Sequence, residues 1–561
     1  MPRFGFVGPS YTPWSTAAES QRTVNLYPEK IESNAGKNAY ALFGTPGITP
    51  ITTTAILAVT AGGGGYTLND VLTVVGGTGT TAMTIKVLTL GGGNSVATAQ
   101  IKNGGNYSVY PTNPVSVTGG TGTLATFTIT WGQEIKGMYH DVPNNRDFAA
   151  VRYSDGQTRL VEFNRVAGEL TDRGQLFAAA SSKYPVSFST NGTQLFIVDS
   201  GDLVAFCFTL ATNTLTDVTA SVGNTNPIWG EFMDGYFIAL CDDGKVYISS
   251  LYDGTTWDVL DTATPESSPD TCTMIAVYQG NLWLFGYQSY EVWANTGAAD
   301  FPFEPIRNAT NVIGLVWPYS VCKVGDTMIW LGRVLAGGLQ FFAADGYAAK
   351  RVSNHAAENT VSSGVDFSTI PSCSWSYEWN GHFFYLISIG TTTLCYDMAT
   401  QMWHERVYMN GSSEESHRGR CFMYAGGSAD LSSIPAYVGD RSNGQIYWFI
   451  HTQYSDRTSG ALVGIRRERR AAHLANEQKR FLHHRLQLEI EANASTYTLE
   501  YSDDNGSTWS TAVDGRANYS NRGREWRRLG SSRDRIYRVR TTGATKQAWI
   551  DAYLEMEPCN F

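Results

Sequence analysis

Between Lys136 and Ile450 hydrophobic and polar residues alternate with a period of two in short runs that close on Asp-Gly, Asn-Gly or Gly-Asp. DFAAVRYSDGQTRLVEFN, YFIALCDDGKVYISSLYDGTTWD and HFFYLISIGTTTLCYDMATQMWHE are examples. Alternation sends successive side chains to opposite faces of a strand and the glycine turns reverse the chain, so each run predicts strand, tight turn, strand. The runs begin at intervals of about 40–50 residues, the period of a four-stranded propeller blade. They predict a β-propeller of six or seven blades over residues 133–450. A β-sandwich would alternate in the same way but would not need that period over such a length.

The pattern changes on either side. Residues 1–51 hold few alternating runs and several prolines, as in LFGTPGITP, and predict an extended arm that must be held by a body or a neighbouring subunit, since it buries too little to order itself. Residues 52–132 predict an inserted glycine-rich β domain: positions 56–130 carry fifteen glycines and only three charged side chains, Asp70, Lys86 and Lys102. It repeats internally, GGGYTLNDVLTVVGGTGT and GGNYSVYPTNPVSVTGGTGT, which implies two copies of one supersecondary unit. Residues 451–479 read as a basic connector, and 480–561, with RLQLEIE, YTLEY and YRVR, as a C-terminal β-sandwich.

Composition agrees with an all-β chain. Among 561 residues there are 57 glycines, 12% aromatics and only 16% charged residues, a turn-rich and aromatic-packed mixture. No stretch approaches the ~18 apolar residues of a membrane span, and the N-terminus lacks a basic then apolar leader, so synthesis in the cytosol is expected. Eight widely spaced cysteines predict reduced, buried side chains rather than a disulfide framework. The net charge of −10 is uneven: residues 451–561 hold 18 Lys and Arg against 14 Asp and Glu, leaving −14 for residues 1–450.

Three motifs invite a chemical reading. GGTGT occurs at Gly76–Thr80 and Gly119–Thr123, but neither copy has the lysine of a phosphate-binding loop and both run into strand-forming residues, which predicts paired turns. Ser502, Asp504, Gly506, Thr508 and Trp509 match the Asp-box S-x-D-x-G-x-T-W of sialidases and other propellers, a turn in which the carboxylate caps backbone N–H groups. One copy, without an arginine triad or acid pair, argues against glycosidase chemistry, and Asp503 and Asp504 lack the spacing of a calcium loop. Arg466, Arg467, Arg469, Arg470, Lys479, Arg480 and Arg485, against Glu468 and Glu477, form a basic cluster, with nine more arginines from Arg516 to Arg540. Such a cluster serves either subunit contacts with acidic patches, the favoured reading, or DNA phosphates.

No metalloprotease, serine-hydrolase or zinc spacing is present, and His483 and His484 point opposite ways along a strand. The aromatics of WSYEWNGHFF, Trp375–Phe384, could hold a sugar but in a propeller more often stack between blades. No enzymatic activity, cofactor, metal or small-molecule substrate is expected.

The order of these pieces resembles the tail hub or "packaged DNA stabilisation" proteins of short-tailed bacteriophages. The resemblance rests on TVNLYPE and LFGTPGIT, then EIKGMYH, NLWLFGYQSYEVWANTG, and IRRERRAAHLANEQKRFLHHRLQLEIE followed by YSDDNGSTWS. It covers nearly the whole chain outside about residues 52–132, which simpler members lack. It implies a virion tail component assembled in the host cytoplasm. It also implies a homo-hexameric ring below the portal and head-to-tail adaptor, lining part of the DNA channel and retaining packaged genome until ejection. The implied partners are the adaptor, a tail needle or plug, fibres or spikes, and transiently the packaged double-stranded DNA, with the insert on the periphery. The alternative is a carbohydrate-binding or carbohydrate-active propeller.

Overall fold

The computed structural model describes residues 3–559 except 14, 16–18, 32–39, 180, 224–225, 266–268, 299–300, 335–336, 364–372, 426–435, 451, 459–461, 476–478 and 518–522. Glu477 of the basic cluster thus lies outside the described residues. Strands dominate, and the one α-helix among the described residues, His355–Ser362, is capped by the Asn354 side chain, which accepts from the Ala357 N–H.

The alternating runs form four-stranded antiparallel meanders. Several open with a two-residue turn in which both positions have positive φ: Asp234-Gly235, Gln279-Gly280 and Asn380-Gly381. That turn matches the right-handed twist of the flanking strands, and asparagine, aspartate and glycine tolerate it best. Five meanders stand as separate sheets: blades two (186–217), three (227–263), four (272–305), five (313–351) and seven (419–450 with Gly47–Thr53). Two more, blade one (133–177) and blade six (374–410), are parts of wider sheets and complete the circle. Strands from all seven line one axial cavity of about 450 Å³. The core lies between neighbouring blades, as where Trp283, Phe285 and Tyr290 of blade four meet Trp330 and Phe342 of blade five. Trp375, Tyr377 and Phe384 are buried in the same way against blade seven, with Tyr377 and Phe384 stacked at 4.7 Å, so these aromatics join blades and offer no sugar platform.

The circle is closed by the N-terminal arm. Gly47–Thr53 is the outer strand of blade seven, paired antiparallel with Gln445–Ile450. The insert then occupies the seam. Ala55–Gly64 leaves blade seven, and the 19-residue strand Thr123–Asp141 returns, its first half paired with Ala55–Gly64 and its second half with Arg146–Tyr153 as the inner hairpin of blade one. Gly132 marks the changeover: a Cβ there would lie 2.1 Å from Thr54 Oγ1, so only glycine fits.

Within the insert the two GGTGT segments share one backbone form, with φ of 98° and 74° at Gly76 and Gly77 and 88° and 73° at Gly119 and Gly120. The strands entering them pair with each other about a local two-fold axis through Val74↔Val117, with Thr73↔Thr118 on one side and Val75 N–H donating to Ser116 O on the other. Each repeat's buried tyrosine caps the other's strand: the Tyr66 hydroxyl accepts from Ala125 N–H, and Tyr107 from Met83 N–H.

At the C-terminal end two sheets enclose Phe6, Leu26, Leu42, Leu486, Leu488, Trp526, Tyr537 and Trp549. One sheet runs Leu26–Lys30, Tyr40–Gly44, Ala548–Pro558, Phe481–Ile490, Gly523–Arg527, so the arm contributes two of its strands. In the other, Arg22–Val24 lies between Met402–Asn410 of blade six and Arg467–Arg470. The arm is therefore held by its own chain, and it ties propeller to sandwich. Arg467–Arg470 corrects the reading of 451–479 as a connector, because it is a sandwich strand paired with Asp534–Thr541.

Candidate functional site

The basic cluster divides at Arg470. On the strand Arg467–Arg470, period-two alternation turns Arg467 and Arg469 to one face and Glu468 and Arg470 to the other. Arg467 and Arg469 are fully buried. Arg469 holds the arm: it donates to Phe6 O, to Pro9 O at 2.8 Å, to Thr23 Oγ1 at 3.0 Å and to Gln21 Oε1 at 2.6 Å. Arg467 donates to the carbonyls of Gly543 at 2.9 Å, Tyr454 at 3.2 Å and Thr45 at 3.3 Å. Burial pushes Arg469 down to about 9 and Arg467 to about 10, leaving both charged at neutral pH. The expectation that these two meet DNA or another subunit is corrected. A planar five-donor fork is the group best able to gather several backbone carbonyls, and here it clamps the chain to itself.

The opposite face carries an ion network joining arm, blade six and sandwich. Arg22 reaches Glu405 and Glu414, each at 2.8 Å, and Arg466 also pairs with Glu414. Buried Glu468 accepts from Arg540 at 2.7 Å. Burial opposes its ionisation, but Arg22, Arg540, Arg470 and Arg538 outweigh that and hold its carboxyl below the usual range. Arg470 donates to Ser20 Oγ at 3.1 Å. Thus Arg466 and Arg470 are also internal struts.

Lys479, Arg480 and Arg485 are placed elsewhere, on the outside of the sandwich. Lys479 and Arg480 are exposed, with Arg480 donating to Ser531 Oγ at 3.1 Å. Arg485 pairs with Glu555 at 3.3 Å and Glu525 at 3.8 Å.

The Asp-box turn packs against the network. Asp504 accepts from Thr508 N–H at 2.8 Å and its hydroxyl at 2.5 Å, and from Ser502 Oγ at 2.7 Å, while Gly506 takes φ 85°. The Thr508 hydroxyl and N–H hold the Asp504 carboxyl down at about 2. Trp509 donates through Nε1 to Gly506 O at 3.1 Å and lies between Arg470 and Arg538. Blade three contains a second such turn with a different spacing. Asp253 accepts from Thr255 N–H at 2.9 Å and Thr256 Oγ1 at 2.8 Å, and Trp257 Nε1 donates to Gly254 O at 2.9 Å. Its D-G-x-T-W has the aspartate next to the glycine, where the Asp-box has a residue between them.

The axial cavity holds a different set of charges. Lys136 Nζ lies 2.5 Å from Asp199 and 3.1 Å from Asp202, and Arg420 pairs with Glu134. Burial raises Asp199 to about 7, against the pull of Lys136. Each buried ion has a partner from another strand or turn, so the set fixes inner strands against one another. Among the described residues there is no group of three or more His, Cys, Asp or Glu side chains placed to hold a metal, and no helix is long and apolar enough to cross a membrane. None of the eight cysteines is joined in a disulfide.

A seven-bladed wheel whose charged side chains bind arm, blades and sandwich to one another defines an architectural protein. A family model described as "Bacteriophage P22 Gp10, beta-propeller" matches residues 135–454, more than half of the chain, and a second, "Bacteriophage P22 Gp10, beta-sandwich", matches residues 466–557. The chain belongs to this family, that of the tail hub or nozzle protein of a short-tailed bacteriophage, and is a structural protein of the virion tail. No curated protein matches the chain. Among solved structures, "Crystal Structure of Mitotic Checkpoint Complex" is similar over 57% of this chain and 87% of that one, at 9% identity and a TM-score of 0.35, a likeness too slight to add to the argument.

Proposed function

We infer that this chain forms the hub or nozzle ring of a short tail, most simply six copies below the portal and head-to-tail adaptor, enclosing part of the DNA channel. The observation that carries this reading is the family match, propeller followed by sandwich, in a chain whose arm sews the two together. The needle or plug and the fibres or spikes are its distal and lateral partners. The physics is favourable: with −14 on residues 1–450, a channel lined by that part of the chain repels the DNA backbone and lets genome pass without tight binding. The insert sits on the periphery of the ring. Its near-neutral surface contributes little to either attraction or repulsion.

The test is imaging of purified particles with the chain labelled at the insert. A ring of label around the tail axis beneath the portal is expected; label on the capsid or absent from particles would overturn the reading. The carbohydrate alternative is weakened by the site itself, because the Asp-box residues are engaged in their own turn and Trp375, Tyr377 and Phe384 are buried between blades.

A further inference from the structure

A propeller blade ends in an outer strand with one unpaired edge, and such an edge invites association unless something covers or deforms it. The outer strand of blade one, Leu170–Phe177, is met by Val96–Asn103 of the insert, and that of blade six by Arg22–Val24. Among the described residues no strand pairs with the outer side of blades two, three, four or five, and blade three presents the longest of these open edges: its outer strand, Asp253–Ala263, runs for 11 residues, where those of the other three run for three or four. The register jumps between Tyr247↔Thr262 and Ser249↔Trp257, so Asp258-Val259-Leu260-Asp261 is pushed out as a wide bulge. Leu260 is 81% exposed and Val259 43%, with Leu251 at 56% and Tyr252 at 63% on the same edge. Three carboxylates of this blade bond to neutral donors, Asp258 to Leu260 N–H, Asp242 to Asn226 and Asp243 to the Tyr247 hydroxyl, while Glu231 pairs with Lys323 at 3.6 Å. An exposed apolar knob rimmed by acids is a contact surface in search of a basic partner.

A different part of the chain carries the complement. The sandwich is joined to blade six, three blades round from blade three. At one end of it the start of Phe481–Ile490 lies beside Ser531–Ser532, which brings the exposed residues Lys479, Arg480, Arg528 and Arg533 to the same end as Leu482, 39% exposed and set across the strands from Ser531 and Glu557. The carboxylates near this end are engaged: Asp503 by Arg535, Asp534 by His473 and Glu557 by His484.

We propose that the acidic knob of blade three docks on this basic end of the sandwich in a second copy of the chain, so that copies join head to tail. The two surfaces differ and belong to different parts of the molecule, blade three and the sandwich joined to blade six, so the contact is heterologous and repeats until it closes a ring. Leu260 is the apolar anchor, seated among the aliphatic stems of Arg480 and Arg528, with Asp258 facing their guanidiniums. This inference rests on the ring reading above and specifies which faces make the ring.

The full-length chain is followed by native mass spectrometry and sedimentation over a range of concentration and salt, beside Asp258→Arg, the pair Arg480→Glu with Arg528→Glu, and all three together. The substituted side chains are exposed, and unchanged melting curves certify folding. Each reversal is expected to weaken association about tenfold or more, salt to weaken the wild type, and the triple variant to recover most of the loss. Wild-type rings accompanied by equally good rings from both reversal variants would overturn this interface and leave the ring reading standing. A wild-type chain that stays single at every concentration and is present as one copy per assembled tail would overturn both.

Discussion

The Arg538 guanidinium lies 3.7 Å from the centre of the Trp509 ring. A cation on an aromatic face is attracted by the ring quadrupole, and here it also covers the indole from solvent. With Arg470, 5.1 Å from the same ring, this contact fastens the Asp-box turn to the arginine network that holds arm, blade six and sandwich. Trp509→Ala should therefore destabilise the sandwich by about 1–2 kcal/mol, from the lost stacking and indole hydrogen bond. Asp504→Ala, which loosens only the exposed turn, should cost less. Urea unfolding followed by near-ultraviolet circular dichroism gives the order, and a larger loss at Asp504 would show the turn to matter more than its anchor.

Arg469 should be the strongest single clamp on the arm. Arg469→Met leaves the Phe6 and Pro9 carbonyls and Gln21 without their donor, at about 3 kcal/mol for buried acceptors. Arg469→Lys should rescue little, because one ammonium cannot reproduce the planar fork. Limited proteolysis within residues 6–23 is the readout, and full protection in the methionine variant would refute the clamp.

Removing residues 1–54 strips blade seven of its outer strand and exposes the edge Gln445–Ile450, whereas removing 1–24 spares blade seven and uncovers only blade six. The longer deletion should aggregate and lose hydrogen-exchange protection at 445–450, while the shorter should lose it only in the sandwich and at blade six. Equal protection at 445–450 in both would contradict the pairing.

Acid should loosen the joint before the rest of the chain. Burial alone would raise the Glu414 pKa, but Arg22 and Arg466 outweigh it and bring it from 4.5 to about 2. A folded-state pKa below the unfolded one stabilises above about 4.5, and that contribution is lost as pH falls from there toward 2. Glu414→Gln should be less stable at neutral pH and should flatten the stability profile over that window. An unchanged acid slope, measured by thermal melts at stepped pH, would mean that Glu414 is not held down.

Much of the propeller was legible because its information is local: a two-residue turn such as Asn380-Gly381 and its flanking alternation lie within a dozen residues. The GGTGT turns were legible for the same reason, since positive φ at Gly76 and Gly119 is a demand of the turn itself. What the sequence concealed is pairing over long separations. Nothing near Gly47–Thr53 announces a partner at 445–450, and nothing near Arg467–Arg470 announces that Arg22–Val24 lies beside it. The arginines misled because their density resembles a binding surface. Burial of Arg467 and Arg469 by backbone carbonyls is a tertiary fact, visible only when the arm is in place. Asp253 escaped notice because it stands one residue nearer its glycine than the Asp-box spacing allows, although Trp257 and Trp509 make the same bond to a glycine carbonyl.

The outer strand of blade seven also sets a schedule for the ribosome. Gly47–Thr53 is made early but its partner Gln445–Ile450 is made some four hundred residues later, about 20–80 s at ordinary elongation rates. Through that interval the arm has nothing to pair with, and blade one can stack only on blade two. The wheel is thus obliged to close last, and a nascent chain interrupted before residue 450 leaves both faces of the seam open to whatever else is in the cell.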